Sequence, residues 1–176
     1  MPLPKFDCEI PCSTQCHSMY DAAHAITKIA FDAVVCQMDP VECEQMTGYV
    51  TIGEPNNPLG NYVAGWIDSL EPRERANTQS LMMPIPVATV NVRILESGYP
   101  MINEDGPASV PDFGELNAAA QHSYSHAEGA MRAVYNAIRT MAISGCGFRS
   151  MGALRPVRPS GGMVGWQFSV TLDLEW

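Results

Sequence analysis

The chain has 176 residues, 46% of them hydrophobic, which suits one domain with a buried core. Only 16% are charged, and 10 Lys and Arg against 19 Asp and Glu leave a net charge of −9. That balance excludes a surface built to grip nucleic acid, because phosphate binding needs clustered Lys and Arg.

The N-terminal segment (MPLPKFD) lacks the basic-then-apolar layout of a signal peptide, so cytoplasmic assembly with reduced thiols is expected. Residues 1–18 hold Cys8, Cys12 and Cys16 among turn formers and read as an arm. Residues 19–176 read as a single domain. Ser18 is placed to cap a helix over residues 19–38, with Ala23, Ile26, Ala30, Ala33 and Val34 on one face and Asp39-Pro40 as its stop. The longest apolar candidate, residues 22–38, is broken by His24, Lys28 and Asp32, so a membrane span is not expected.

Residues 49–52 predict a short strand and residues 53–60 a loop dense in turn formers. Residues 62–70 predict a second strand, and residues 71–80 a polar loop. Residues 87–95 alternate cleanly, with Ala88, Val90, Val92 and Ile94 on one side and Thr89, Asn91 and Arg93 on the other. Residues 98–114 form a second Pro/Gly loop. Residues 115–141 then predict a long helix with a stripe at Leu116, Ala120, Ala127, Met131, Val134, Ile138 and Met141. Residues 144–147 (SGCG) stop it. Residues 148–157 and 164–174 predict a closing hairpin around the turn at residues 159–162 (PSGG). This order gives an α+β class: a mixed, mostly antiparallel sheet with two helices packed on one face.

Several residue groups carry chemical possibilities. Cys8, Cys12, Cys16 and His17 follow C-x3-C-x3-C-H, with Cys36 and Cys43 downstream, but the paired C-x2-C of a zinc knuckle is missing. Buried or half-exposed thiols are the simpler reading. His122 and His126 stand at i, i+4 on the long helix, yet Ser123 follows where H-E-x-x-H needs its general base. Their helical angle puts both at the boundary between core and solvent. No Gly-x-Ser-x-Gly elbow and no phosphate loop is present. Arg73 and Arg75 flank a loop, and Arg149, Arg155 and Arg158 gather near the last turn without interleaved aromatics. Arginines so placed suit the rim of a protein interface. No catalytic residue, cofactor or metal is assigned, and an enzyme is not expected.

The closing segment, residues 152–174 (GALRPVRPSGGMVGWQFSVTLDL), resembles the last hairpin of the head-to-tail connector and tail terminator proteins of long-tailed bacteriophages. Residues 49–55 (YVTIGEP) resemble that family's first strand and Gly-x-Pro turn, and residues 61–68 and 87–95 fall where its next strands lie. The arm at residues 1–18 has no counterpart. The resemblance implies a tail-terminator-like domain and a virion protein of the neck, assembled in the host cytoplasm. It further implies a homo-hexameric ring, about six copies closed by rotation. One ring face would cap the tail tube protein and the other would meet a head-completion protein, with genomic DNA passing through the lumen. The acidic balance suits a channel that lets DNA pass without holding it. Contacts are then expected from loops 53–61 and 98–114 and the turn at residues 155–158, which nominates Glu54, Asn56, Asn57, Arg155 and Arg158. The alternative in the same class is a head-completion or stopper protein of the neck. Outside it stand a small metal-binding protein built on Cys8, Cys12, Cys16, His17, His122 and His126, and a secreted disulfide protein.

Overall fold

Ser18 begins the first helix as expected. Its hydroxyl accepts from the Asp21 main chain, and the first helix, α1, runs Met19–Val35. In this computed structural model the described residues are 5–6, 18–55, 60–73, 85–97, 113–140, 146–160 and 163–174. Helix α1 ends sooner than the sequence suggested. Asp39 turns out to open a second, short helix, α2 (Pro40–Gln45), by accepting from the Val41 and Glu42 main chains at 2.9 Å. Pro40 fits the first helical turn because its missing N–H would have had no partner there. The third helix, α3, spans Phe113–Arg139.

Among the described residues the strands are β1 (Lys5–Phe6), β2 (Thr47–Ile52), β3 (Tyr62–Arg73), β4 (Ile85–Ser97), β5 (Cys146–Met151), β6 (Arg155–Ser160) and β7 (Met163–Leu174). They form one sheet in the order β1-β2-β3-β4-β7-β5, with β6 also on β7. The class is the α+β one expected, with a mixed, mostly antiparallel sheet. Among the described residues it carries three helices rather than two, because α2 is extra. The antiparallel centre is β3, β4 and β7, where Ile94 opposes Val63 on one side and Trp166 on the other.

Two features escaped the pattern reading. First, β1, β2 and β3 run parallel, with Thr47 opposite Tyr62 and Ile52 opposite Ile67. The nine residues between Ile52 and Tyr62 must therefore carry the chain back along the strand. That is short beside the dozen or more residues of an ordinary parallel crossover. Gly53 (φ 83°) and Gly60 (φ 116°) stand near the two ends of this return, in backbone conformations that favour glycine. Second, the expected hairpin partner of β7 is broken in two. β5 pairs with its C-terminal half and β6 with its N-terminal half, and Gly152 bonds to Ser169 between them.

The main core lies on one face, and a smaller buried cluster of Tyr62, Ala64 and Leu95 lies on the other. Val63, Val90, Val92, Ile94, Phe168, Val170 and Leu172 pack under Ala23, Ile26, Ala30 and Val34 of α1 and Ala127, Ala130, Val134 and Ile138 of α3. The alternation at residues 88–94 thus points where expected. Full burial of each Val, Ile, Leu or Phe among them contributes about 1.5–3 kcal/mol. Gly65 sets how closely α1 approaches: a Cβ there would lie 1.8 Å from Thr27 Oγ1.

Candidate functional site

The face of the sheet away from the core combines a small apolar patch of Tyr62, Ala64 and Leu95 with polar side chains. Arg93 sits at its centre, 7% exposed. Its guanidinium lies over the Trp66 ring, 5.1 Å from the centroid, and donates to Gln167 Oε1 at 3.0 Å from Nη2 and 3.3 Å from Nε. It also donates to Glu54. Glu54, nominated from the sequence as a contact, therefore ties the start of the β2–β3 return to this face while staying largely exposed. Tyr49 packs against Tyr62 with ring centroids 5.6 Å apart. Burial, with the neighbouring Tyr62 adding and Arg93 opposing, pushes the Tyr49 phenol up to about 12.

Beside Arg93 runs a trough of about 340 Å³ lined by Asp68, Asn91, Arg155, Gln167 and Ser169 among others. Arg155 is exposed on β6 opposite Gln167. Arg155 lies within the strand segment predicted to end at residue 157, while the turn expected over residues 155–158 is absent: Arg158 belongs to strand β6 as well. The mistake has a physical origin: the two prolines of β6 remove ladder donors and read as breakers, but an edge strand tolerates them. Asn56 and Asn57 lie outside the described residues. Of the five nominated positions, Glu54 and Arg155 thus lie on the face away from the helices, Glu54 bonded to Arg93 and Arg155 opposite Gln167, to which Arg93 also bonds.

The two histidines of α3 part company. His122 is exposed and lies 3.6 Å from Glu42 of α2. His126 is buried, not at the boundary as expected, and its Nδ1 lies 2.5 Å from Oε1 of Glu96 on β4. The side chains of that pair are 3% and 6% exposed. The two imidazoles meet edge to face, 4.3 Å between centroids, so Glu42, His122, His126 and Glu96 form a continuous row from α2 through α3 to β4. Burial lowers the His126 pKa, but the hydrogen bond and charge of Glu96, then the charge of Glu42 and a bond to the Gln37 main chain, outweigh it and raise it overall. Bonded through one nitrogen to a carboxylate and engaged with the Gln37 main chain as well, His126 is held toward its charged form. A signal for this pair exists in the sequence: Glu96 continues the parity of Val90, Val92 and Ile94, so it points into the core layer.

Cys8, Cys12, Cys16 and His17 lie outside the described residues. Cys36 is exposed, and Cys43 and Cys146 are half-buried. Among the described residues no group of three or more His, Cys, Asp and Glu side chains converges in a way that could hold a metal ion. No helix among them is long and apolar enough to cross a membrane. No protein-family model matches the chain, and no curated protein matches its sequence.

Proposed function

We propose that the chain is a structural protein of a long-tailed phage neck, forming a ring that caps the tail tube and joins it to the head. The single observation that carries this reading is the polar trough on the sheet face away from the helices, where exposed Asp68 and Arg155 flank Asn91 and Gln167. The main core lies beneath α1 and α3, while on the opposite face Arg93, Trp66 and Tyr62 are themselves buried and the trough ending at Arg155 is the part left accessible. A polar, hydrogen-bonding face with an arginine at its edge suits a contact that forms between finished subunits. Repeated by rotation, one such heterologous contact closes a ring. The resemblance of residues 152–174 to the closing hairpin of terminators supports the same assignment. So does the acidic balance, since a lumen with few cations lets DNA pass.

In this reading β7 is scaffold, because Phe168, Val170 and Leu172 are buried under the helices. Contacts fall to the β2–β3 return, the loop before α3 and β6. The test mixes the purified chain with polymerising tail tube protein and images the products by electron microscopy. Arrest of tube growth with a ring on one tube end is the expected result. An unchanged tube-length distribution would overturn the terminator reading, and binding to a portal assembly instead would assign the chain to the head-completion side of the neck.

A further inference from the structure

The sheet ends at β5 and β6, and these two edge strands are guarded differently. β6 carries Pro156 and Pro159, which cannot donate to an added strand. β5 carries no proline and, among the described residues, pairs with β7 alone. Aromatic and cationic side chains gather along it instead. On the helix side Phe148 meets Tyr135 of α3 edge to face, with centroids 5.9 Å apart, and Arg139 lies over the Tyr135 ring at 5.6 Å. Both rings are 39% exposed. On the other face Arg149 and Arg155 are exposed, and Arg149 stands a loose 3.9 Å from Asp173. Exposed aromatic rings beside arginines are the side chains that anchor protein interfaces.

We infer that this edge docks, head to tail, on the α1–α2 surface of a second copy of the chain. The inference rests on the ring reading above and names the surface that receives the contact. Charge selects the occupant. Among the described side chains of β5, β6, the second half of α3 and the end of β7, Arg132, Arg139, Arg149 and Arg155 outnumber the acids Glu128 and Asp173. In a chain of net charge −9 that is a local reversal of sign. Residues 19–45 are the opposite. Asp21, Asp32, Asp39, Glu42 and Glu44 stand against one cation, Lys28, itself bonded to Asp32. Like surfaces brought together repel, and the basic edge against the acidic surface attracts. Position agrees with charge. α1 rests on β2 and β3, and α3 on β7 and β5, so the two surfaces lie toward opposite sides of the molecule. A contact between two such different surfaces is heterologous and repeats by rotation. The receiving surface also offers apolar partners for Phe148 and Tyr135, since Tyr20 is 38% and Val41 69% exposed. A helix of the next copy laid over β5 covers the edge, which keeps it from pairing indiscriminately.

The test is sedimentation velocity on the full chain and two charge-reversed variants, all at exposed positions. R149E/R155E makes the edge acidic, and D32K/E44K makes the receiving surface basic. The natural chain should associate beyond a dimer at low salt. Raising the salt from about 0.1 M to about 1 M shortens the screening length from about 10 Å to about 3 Å and should shift it toward monomers. Each variant alone should sediment as a monomer with the natural circular dichroism spectrum. An equimolar mixture of the two should recover the associated species, because each variant's edge then opposes the other's receiving surface with the attractive sign. A natural chain that stays monomeric at every concentration, or that stops at two copies, would overturn the inference. So would variants that associate like the natural chain, or folded variants that do not recover on mixing. Failure of the neck reading shows elsewhere: a chain that associates as described and leaves tube growth unarrested would refute that reading and leave this contact standing.

Discussion

Replacing His126 by alanine leaves the Glu96 carboxylate in the core layer with its cation gone. The two side chains are 97% and 94% removed from solvent and 2.5 Å apart, so screening by water discounts their attraction little. At an effective dielectric of about 20 the gross Coulomb term is about 7 kcal/mol, most of it offset by desolvation. Removal of one partner from such a pair costs roughly 3–5 kcal/mol, a large part of a small domain's stability. E96Q should cost clearly less, because the imidazole can then become neutral and still hydrogen-bond the amide. The pH dependence is a second readout. The His126 pKa is raised in the folded state, so its contribution is complete below the unfolded value of about 6.5 and is lost as pH rises through the folded value. Urea unfolding at a series of pH values should show stability falling above neutrality in the natural chain, and H126A should lack that slope. A loss below about 1 kcal/mol in H126A, or a larger loss in E96Q than in H126A, would refute the ion-pair reasoning.

G65A should destabilise by about 1–3 kcal/mol in urea unfolding, because the new methyl group meets the buried Thr27 side chain, whose hydroxyl is itself bonded to Ala23. R93L should cost about 1–2 kcal/mol through the lost bonds to Gln167 and the lost Trp66 contact. It should also make residues 53–61 cleave faster in limited proteolysis, as Glu54 loses its anchor. S18A should cost about 1 kcal/mol of stability by removing the cap of α1, seen as a lower urea midpoint. R155E combined with R158E should leave the melting curve unchanged and abolish head–tail joining in assembly assays; particles that still join would remove β6 from the proposed contact.

Local rules reached the elements whose environment is uniform along their length. The alternation through Val90, Val92 and Ile94 marks β4 because one face of that strand meets only the core. Ser18 marks the start of α1 because an orphan N–H needs a nearby acceptor, whatever the rest of the chain does. What stayed hidden depends on partners distant in sequence. The α3 stripe holds at Ala127, Val134 and Ile138, which are buried, but Leu116, Ala120 and Met131 are only half-buried, and the buried face also takes in Ser123, His126 and Ala130. His126 looks polar until Glu96, thirty residues earlier, is placed against it. The parallel pairing of β2 with β3 is likewise invisible locally, since a loop rich in Gly and Pro reads as a hairpin turn whichever way the chain leaves it. Of the candidate site, the face away from the helices was reached through Glu54 and Arg155, but Arg93, which bonds to Glu54 and Gln167 between them, was read only as one side of an alternating strand.

The place of β7 in the sheet has a consequence for how the protein is made. It is central in space, between β4 and the β5–β6 edge, yet it follows every other described element in the chain. Val87 must find Asp173 across nearly half the molecule's length. Until β7 has left the ribosome, β4 has a bare edge and an apolar face only partly covered by α1, a template for pairing with the wrong chain. Closure of so distant a contact is slow. Newly made chains should therefore spend their most aggregation-prone interval between the synthesis of β4 and that of β7, and chaperone demand should fall in that interval.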